Sequence, residues 1–334
     1  MQKHCASLQR IIASRRTLLI TDRFSTNSRI FAPCFSEAVN AMSREGYRIK
    51  IFCRSFDLRL YRLSKGLYES WGYPCVRLTD QSADGYFYTM LRHKDCDIAI
   101  NVDEDCFITH REAVEALVDY VIDNNFANAG CPDGGSWAPR QGNPLITNPF
   151  FNILNLKLIR ESFSKQEIRK FKYEQHKDNL IEAYPKEMLY PELSWDFDNM
   201  DYEPYCKFFF WLAANFKTLY LHNRQHPDGT TTILMNHKGE EMCRHTWFSR
   251  FYSVPAFIVR HWEPTAGAQQ QRIDNVINEA YSMQQLEKPV FQTKDKCGFV
   301  WNKIIRWIIK VPQRISRWPR KLVIKTRRLI KKLR

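Results

Sequence analysis

The sequence predicts an α/β fold built on a mostly parallel sheet flanked by helices. Short apolar runs rich in β-branched and aromatic residues recur at 17–21, 47–53, 73–78 and 97–102. Segments of helical period separate them. Each run gives way to charged residues. Strands alternating with helices imply parallel pairing through right-handed crossovers, and such sheets bind ligands outside the carboxyl ends of their strands.

Residues 17–21 suit a short buried strand ending in Asp22 and Arg23, and 31–44 suit a helix stopped by Gly46. The second strand, 47–53, ends at Arg54-Ser55-Phe56-Asp57, and the third, 73–78, ends at Asp80. Residues 85–93 suit a helix.

The fourth strand is the most informative. It runs Asp97-Ile98-Ala99-Ile100-Asn101-Val102 and then stops in Asp103-Glu104-Asp105. Alternate strand residues share a side, so Asp103 and Asp105 aim at one point while Glu104 faces away. Two carboxylates at the exit of a buried strand cost solvation, which a cation offsets. Oxygen ligands select hard ions such as Mg²⁺ or Mn²⁺. Thr109 and Glu112 fit a capping box, and Val114, Leu117, Val118, Val121 and Ile122 mark one face of the helix that follows.

Residues 130–144 are rich in Gly and Pro and read as a loop at the ligand edge of the sheet. Residues 147–160 read as a connection and a short helix, and 162–179 as a charged, solvent-facing helix. A second acidic cluster, Asp196 to Glu203, precedes an aromatic helix over 205–215. Residues 217–221 form another strand, followed by His222 and His226, and then by Arg244-His245-Thr246-Trp247-Phe248-Ser249-Arg250.

The chain has 334 residues, 44% of them hydrophobic, enough for a sizeable core. No apolar run is long enough to span a bilayer, and the amino-terminal residues lack a secretory signal pattern. Ten cysteines lie singly, without Cys-x-x-Cys pairs. That spacing argues against a zinc site or disulfide scaffold and for a reducing cytoplasm. The net charge is +14, but residues 301–334 hold thirteen Lys and Arg and no acid, which leaves the body near +1. A near-neutral body argues against nucleic acid as its partner. In the tail, Trp301, Ile304, Ile305 and Ile308 share a helical face among cations, with Pro312 and Pro319 as breaks. A basic amphipathic helix with interfacial Trp suits an anionic membrane surface.

An apolar strand ending in Asp-Glu-Asp resembles the Asp-x-Asp motif of GT-A-type glycosyltransferases, including those of bacterial surface polysaccharides. The resemblance covers roughly residues 17–262 and extends to the order of elements: strand, acids, helix, Gly/Pro loop, acids before an aromatic helix, strand, His. It implies a Rossmann-like GT-A catalytic domain over 1–290, with a nucleotide-sugar half at about 17–130 and an acceptor half at about 131–290. A basic tail follows over 291–334. It implies Mn²⁺ or Mg²⁺ held by Asp103, Asp105 and His245, with His222 and His226 as competitors. It places the donor against Asp22, Arg23, Ser55, Asp57, Asp80, Asp103 and Arg250, and the acceptor against Asp133, Arg140 and Trp247. It implies that Glu203, or else Asp201, serves as the catalytic base of an inverting transfer. The acceptor would be a glycan or a lipid-linked precursor, and the enzyme would sit peripherally on the cytoplasmic face of the cell membrane. A metal-dependent nucleotidyltransferase or phosphotransferase is one rival. A non-catalytic membrane or nucleic-acid binding protein is another. Thr21-Asp22-Arg23-Phe24-Ser25 has no glycine for a phosphate loop, which counts against the first.

Overall fold

The computed structural model describes residues 43–44, 46–79, 82–137, 142–189, 195–200, 203–252 and 266–305. All of them fall in one compact unit, Asn40–Arg334. The expected strand at 17–21, the tail beyond 305 and the site candidates Asp22, Arg23, Asp80, Arg140 and Asp201 lie outside the described residues.

The main sheet contains β1 (Ser43–Arg44), β2 (Tyr47–Arg54), β3 (Cys75–Leu78), β4 (Ile98–Asp103), β6 (Asn128–Pro132), β7 (Thr147–Asn155) and β8 (Thr218–Tyr220). Its order is β3-β2-β4-β7-β6-β8, with β1 beside the start of β2. β2, β3, β4, β6 and β8 run one way, and β1 and β7 run against them. The expected mostly parallel α/β sheet is therefore present. An antiparallel sheet, β5 (Cys106–Ile108)-β11 (Glu241–His245)-β10 (Thr232–Met235)-β9 (Asn223–Gln225), adjoins it.

Alternate strand residues feed two cores. Ile49, Ile51, Ile98, Ile100 and Val102 pack with α1 (Leu58–Lys65), α3 (Arg111–Asp123) and α8 (Ala266–Met283). Phe52, Ala99 and Leu154 pack with α2 (Gly85–Arg92), α4 (Leu156–Ser162) and α7 (Cys206–Asn215). Helices thus cover both faces, as parallel sheets require. The predicted stripe of α3, Val114 to Ile122, is buried. No described helix is long and apolar enough to cross a membrane.

Four local expectations are corrected. Ser43–Arg44 do not end a helix but form a hairpin with Arg48 and Tyr47, turning at Gly46 with φ +85°. The acids do not lead straight into α3, because β5 intervenes and joins the second sheet. The Thr109–Glu112 capping box does not form. His110 is the N-cap, and Thr109 pairs through its backbone N–H with Met242. The charged stretch 162–179 is broken into α5 (Lys165–Lys170), a 3₁₀ turn and the start of α6 (Lys177–Ala183).

The largest difference is β7, read from sequence as a connection. It is a nine-residue strand, buried at every position. Three Asn and a Pro in nine residues hide its β character. Pro149 lies beyond the pairing with β4 and beside the β6 irregularity, where no ladder donor is needed. The amides find partners inside the sheet. Asn101 Nδ2 donates to Pro149 O (2.7 Å) and to Asn152 Oδ1 (3.2 Å). Asn152 Nδ2 donates to Thr147 Oγ1 (3.1 Å), as does Asn128 Nδ2 (2.9 Å). Gly130 leaves room for this, since a Cβ there would lie 2.5 Å from Asn152 Nδ2.

Replacing Asn152 with Ala strips partners from Asn101 and Thr147 in a dry interior. Unfolding in urea is expected to show a loss of about 1–3 kcal/mol. A wild-type midpoint would show that the ladder does not stabilise the sheet.

Candidate active site

The strand order reverses at β2, because β3 lies on one side of it and β4 on the other. β2 and β4 are parallel, and their last paired residues are Arg54 and Asp103. An open cavity of about 220 Å³ lies here, at the carboxyl ends of the strands. This is the crevice where doubly wound sheets take ligands.

Residues far apart in sequence line it: Asp103 and Asp105, Glu203 at the approach to α7, and His245, Trp247 and Arg250 after β11. The predicted candidates among the described residues therefore divide cleanly. Those six share the cavity. Ser55, Asp57 and Asp133 are not among its lining residues. Ser55 is fully buried and donates from Oγ to Glu104. Asp57 caps α1, accepting from Arg59 N (2.8 Å) and Leu60 N (3.2 Å), and lies 3.2 Å from Lys303 Nζ. Asp133 is fully buried and accepts from Asn148 Nδ2 and Tyr205 Oη, two residues that do reach the cavity. His226 sits apart, against Glu279 and Asp228.

The acidic turn splits its three charges. Asp103 Oδ2 lies 3.4 Å from Arg54 Nη2. Burial and the charge of Asp105 raise its carboxyl above the usual range, and Arg54 offsets part of that. Asp105 Oδ1 lies 3.3 Å from His245 Nε2, and Oδ2 accepts from Ser249 N (3.3 Å). Burial opposes ionisation there too, but the imidazole and these hydrogen bonds hold Asp105 below the usual range. Glu104 turns away, as expected from alternation. Its Oε2 accepts from Ser55 Oγ (3.0 Å), Phe56 N (2.7 Å) and Asp57 N (2.6 Å), which ties the turn to the loop that starts α1.

His245 is stacked on Phe150 (4.3 Å between ring centres, 11° between planes) and abuts Trp247 at 4.2 Å. Its Nδ1 is buried without a hydrogen-bond partner among the described residues. Trp247 and Phe248 both adopt the left-handed region, with φ 57° and 59°. Two bulky residues there store strain, a cost of order 1–3 kcal/mol each that the surroundings must hold in place. Thr246 N donates to Asp105 O (3.0 Å), Trp247 Nε1 to Thr232 Oγ1 (3.1 Å) and Arg272 Nη2 to Thr246 O. The strained turn presents Ser249 and Arg250 to the cavity.

No protein-family model matches the sequence, and no curated protein sequence matches it. Two solved structures are similar in part. One is a mannosyltransferase from Pyrobaculum calidifontis in complex with GDP-Man and Mn²⁺, 11% identical, with a TM-score of 0.28 over 39% of this chain and 50% of that one. The other is A197 from STIV, 10% identical, with a TM-score of 0.30 over 58% of this chain and 92% of that one. The chain thus spans about half the length of the mannosyltransferase. Likenesses at this level carry no argument about activity, which rests on the site itself.

Sequence reasoning missed Arg54, Trp137, Phe150 and Tyr205, all of which line the cavity. Arg54 does carry a signal: it ends a strand at the ligand edge, directly before Ser55 and Asp57. The aromatic residues carry no local signal, because their place depends on how β7, the 130s turn and α7 converge.

Burial, then the charge of Asp103, push Glu104 from about 4.5 up to about 8. Between those values the folded chain keeps a proton that the unfolded chain has lost, so this group's stabilisation falls as pH rises. In EDTA, the urea midpoint of the wild type is expected to drop across that window, and Glu104→Gln is expected to flatten the drop. An equally steep decline in the variant would assign the titration elsewhere.

Proposed function

We propose that this protein is a metal-dependent glycosyltransferase. It moves a sugar from a nucleotide-sugar to a glycan or lipid-linked acceptor at an anionic membrane surface. One observation carries the reading: residues around 103, 203 and 245–250, chosen for this chemistry from sequence, line a single cavity at the switch point of the sheet.

The donor set fits a hard divalent ion. Two carboxylates face one side of the acidic turn, and burial, with the charge of Asp105 behind it, leaves Asp103 raised despite Arg54. Among the described residues no group of three His, Cys, Asp or Glu is already gathered as a metal site. Asp103 and Asp105 are the ligands this reading assigns, with His245 a third that competes for the same Asp105 oxygen. The ion, Mn²⁺ or Mg²⁺, would stabilise the charge developing on a diphosphate leaving group. Arg250 on the rim supplies a planar fork suited to phosphate. Glu203, with Asp201 as the alternative, takes the proton of the acceptor hydroxyl and gives inversion. Trp247 and its aromatic neighbours pack against the acceptor or close the site from water.

The carboxy-terminal segment supports the membrane part. Residues 293–305 are helical, and Phe299 is buried against Phe291 and Arg62. Val300, Trp301, Ile304 and Ile305 are 58%, 62%, 41% and 40% exposed on one face of this helix, and the sequence that follows is rich in Lys and Arg. On this reading the enzyme sits on the cytoplasmic face.

Two measurements test the proposal. Screening nucleotide-sugars with and without Mn²⁺ should find one that turns over, and Asp105→Ala should lower that turnover by about two orders of magnitude or more. Undiminished Mn²⁺-dependent turnover in the variant would sink the metal assignment. Deleting residues 301–334 should abolish sedimentation with anionic phosphatidylglycerol vesicles and leave turnover of a soluble acceptor intact. A truncated chain that still sediments would remove the anchor.

A further inference from the structure

We infer that Arg54 is an anion-gripping residue of the cavity, placed to bind the diphosphate of the donor beside Asp103. The inference deepens the glycosyltransferase reading and rests on it for the identity of the ligand, but its chemistry, recognition of a diphosphate, stands by itself.

Arg54 is the last residue of β2 and the register partner of Asp103. Its side chain is 17% exposed and lines the cavity with Arg250. The guanidinium is fixed from two sides. It lies over the Tyr86 ring at 4.9 Å and the Phe56 ring at 5.3 Å. Tyr86 is itself held, with its Oη 3.4 Å from Pro149 O. Such a cation needs little ordering when a ligand arrives.

Its hydrogen-bonding capacity is largely unspent. Guanidinium offers five N–H donors. Among the described residues Arg54 makes one hydrogen bond, from Nη2 to Asp103 at a long 3.4 Å, and its Nε is buried without an acceptor. A dedicated structural pair would be short and two-pronged. Against the cost of burial, the carboxylates of Asp103 and Asp105 already hold the guanidinium charged, so what an external anion would gain is the buried Nε–H and the unused fork rather than a stranded charge. The partner carboxylate is not dependent on Arg54 alone either, since Asp103 Oδ1 accepts from Glu104 N (3.1 Å). An anion with several oxygens can therefore share the fork without stranding Asp103. A diphosphate matches this better than a carboxylate, because a second cation, Arg250, lines the same cavity.

Isothermal titration of the full chain with inorganic pyrophosphate, in Mg²⁺ and again in EDTA, tests the inference. Wild type should bind in Mg²⁺. Arg54→Gln should bind at least about tenfold more weakly, and Arg54→Lys, which keeps charge but loses the fork, should bind several-fold more weakly. A residue that only neutralises Asp103 would lower the melting temperature and leave the dissociation constant unchanged. If Arg54→Gln does not fold, Arg54→Lys decides. Wild-type affinity in every folded variant, or no binding by wild type in Mg²⁺, overturns the inference. Arg54-dependent pyrophosphate binding without turnover of any nucleotide-sugar would retain the inference and remove the glycosyltransferase reading. Nucleotide-sugar turnover indifferent to Arg54→Gln would do the reverse.

Discussion

A buried β-strand that ends in carboxylates must have its charge answered, and much of this molecule is arranged around that requirement. β4 is apolar up to Val102 save for Asn101, and then delivers three acids into one turn. Each acid is met by a different part of the chain. β2 supplies Arg54 to Asp103, the end of β11 supplies His245 to Asp105, and the loop into α1 supplies backbone N–H groups to Glu104. The turn is therefore the joint between the two sheets and the first helix. Charge on it and the architecture around it cannot be altered separately.

That arrangement also explains the unusual backbone after β11. For His245 to face Asp105 while Ser249 N reaches the same carboxylate, the chain must reverse within three residues. Trp247 and Phe248 make the reversal in a conformation that glycine would adopt at no steric cost. Large aromatic residues stand there instead, and each has a packing role: Trp247 against His245 and Phe150, Phe248 against Trp137. The strain is compensated by aromatic contact in the wall of the cavity.

The parts legible in sequence were those governed by periodicity. The strands at 47–54 and 98–103, the stripe of α3 and the helix over 206–215 follow from spacing alone, and so does the opposed facing of Asp103 and Glu104. Composition misled where polar residues were buried in pairs. β7 looks like a loop because its Asn residues find their partners on β4 and β6, strands that no local reading can place beside it. The resemblance places Ser55 and Asp57, at a strand end, against the donor and Asp133, in the Gly/Pro loop, against the acceptor; none of the three lines the cavity. Here they are consumed by the fold, in a cap, a loop bond and a buried amide pair. Beyond ending a strand, Arg54 carries no local signal of its place in the site, because its pairing with Asp103 depends on the register of β2 with β4.

The amide ladder of β7 works as a ruler. Asn152 stands opposite Asn101 on one side and Gly130 on the other, and only that alignment gives the amide both a partner and room for its bulk. Sliding the strand by one position would set Asn101 against Phe151 or Ile153 and turn the other side chains to the wrong face. Apolar packing tolerates small sliding errors better than a chain of amides does. Two residues before Asn152 lies Phe150, the ring on which His245 is stacked. A polar pairing deep in the sheet thus calibrates, in whole residues, where the cavity wall stands relative to the acidic turn.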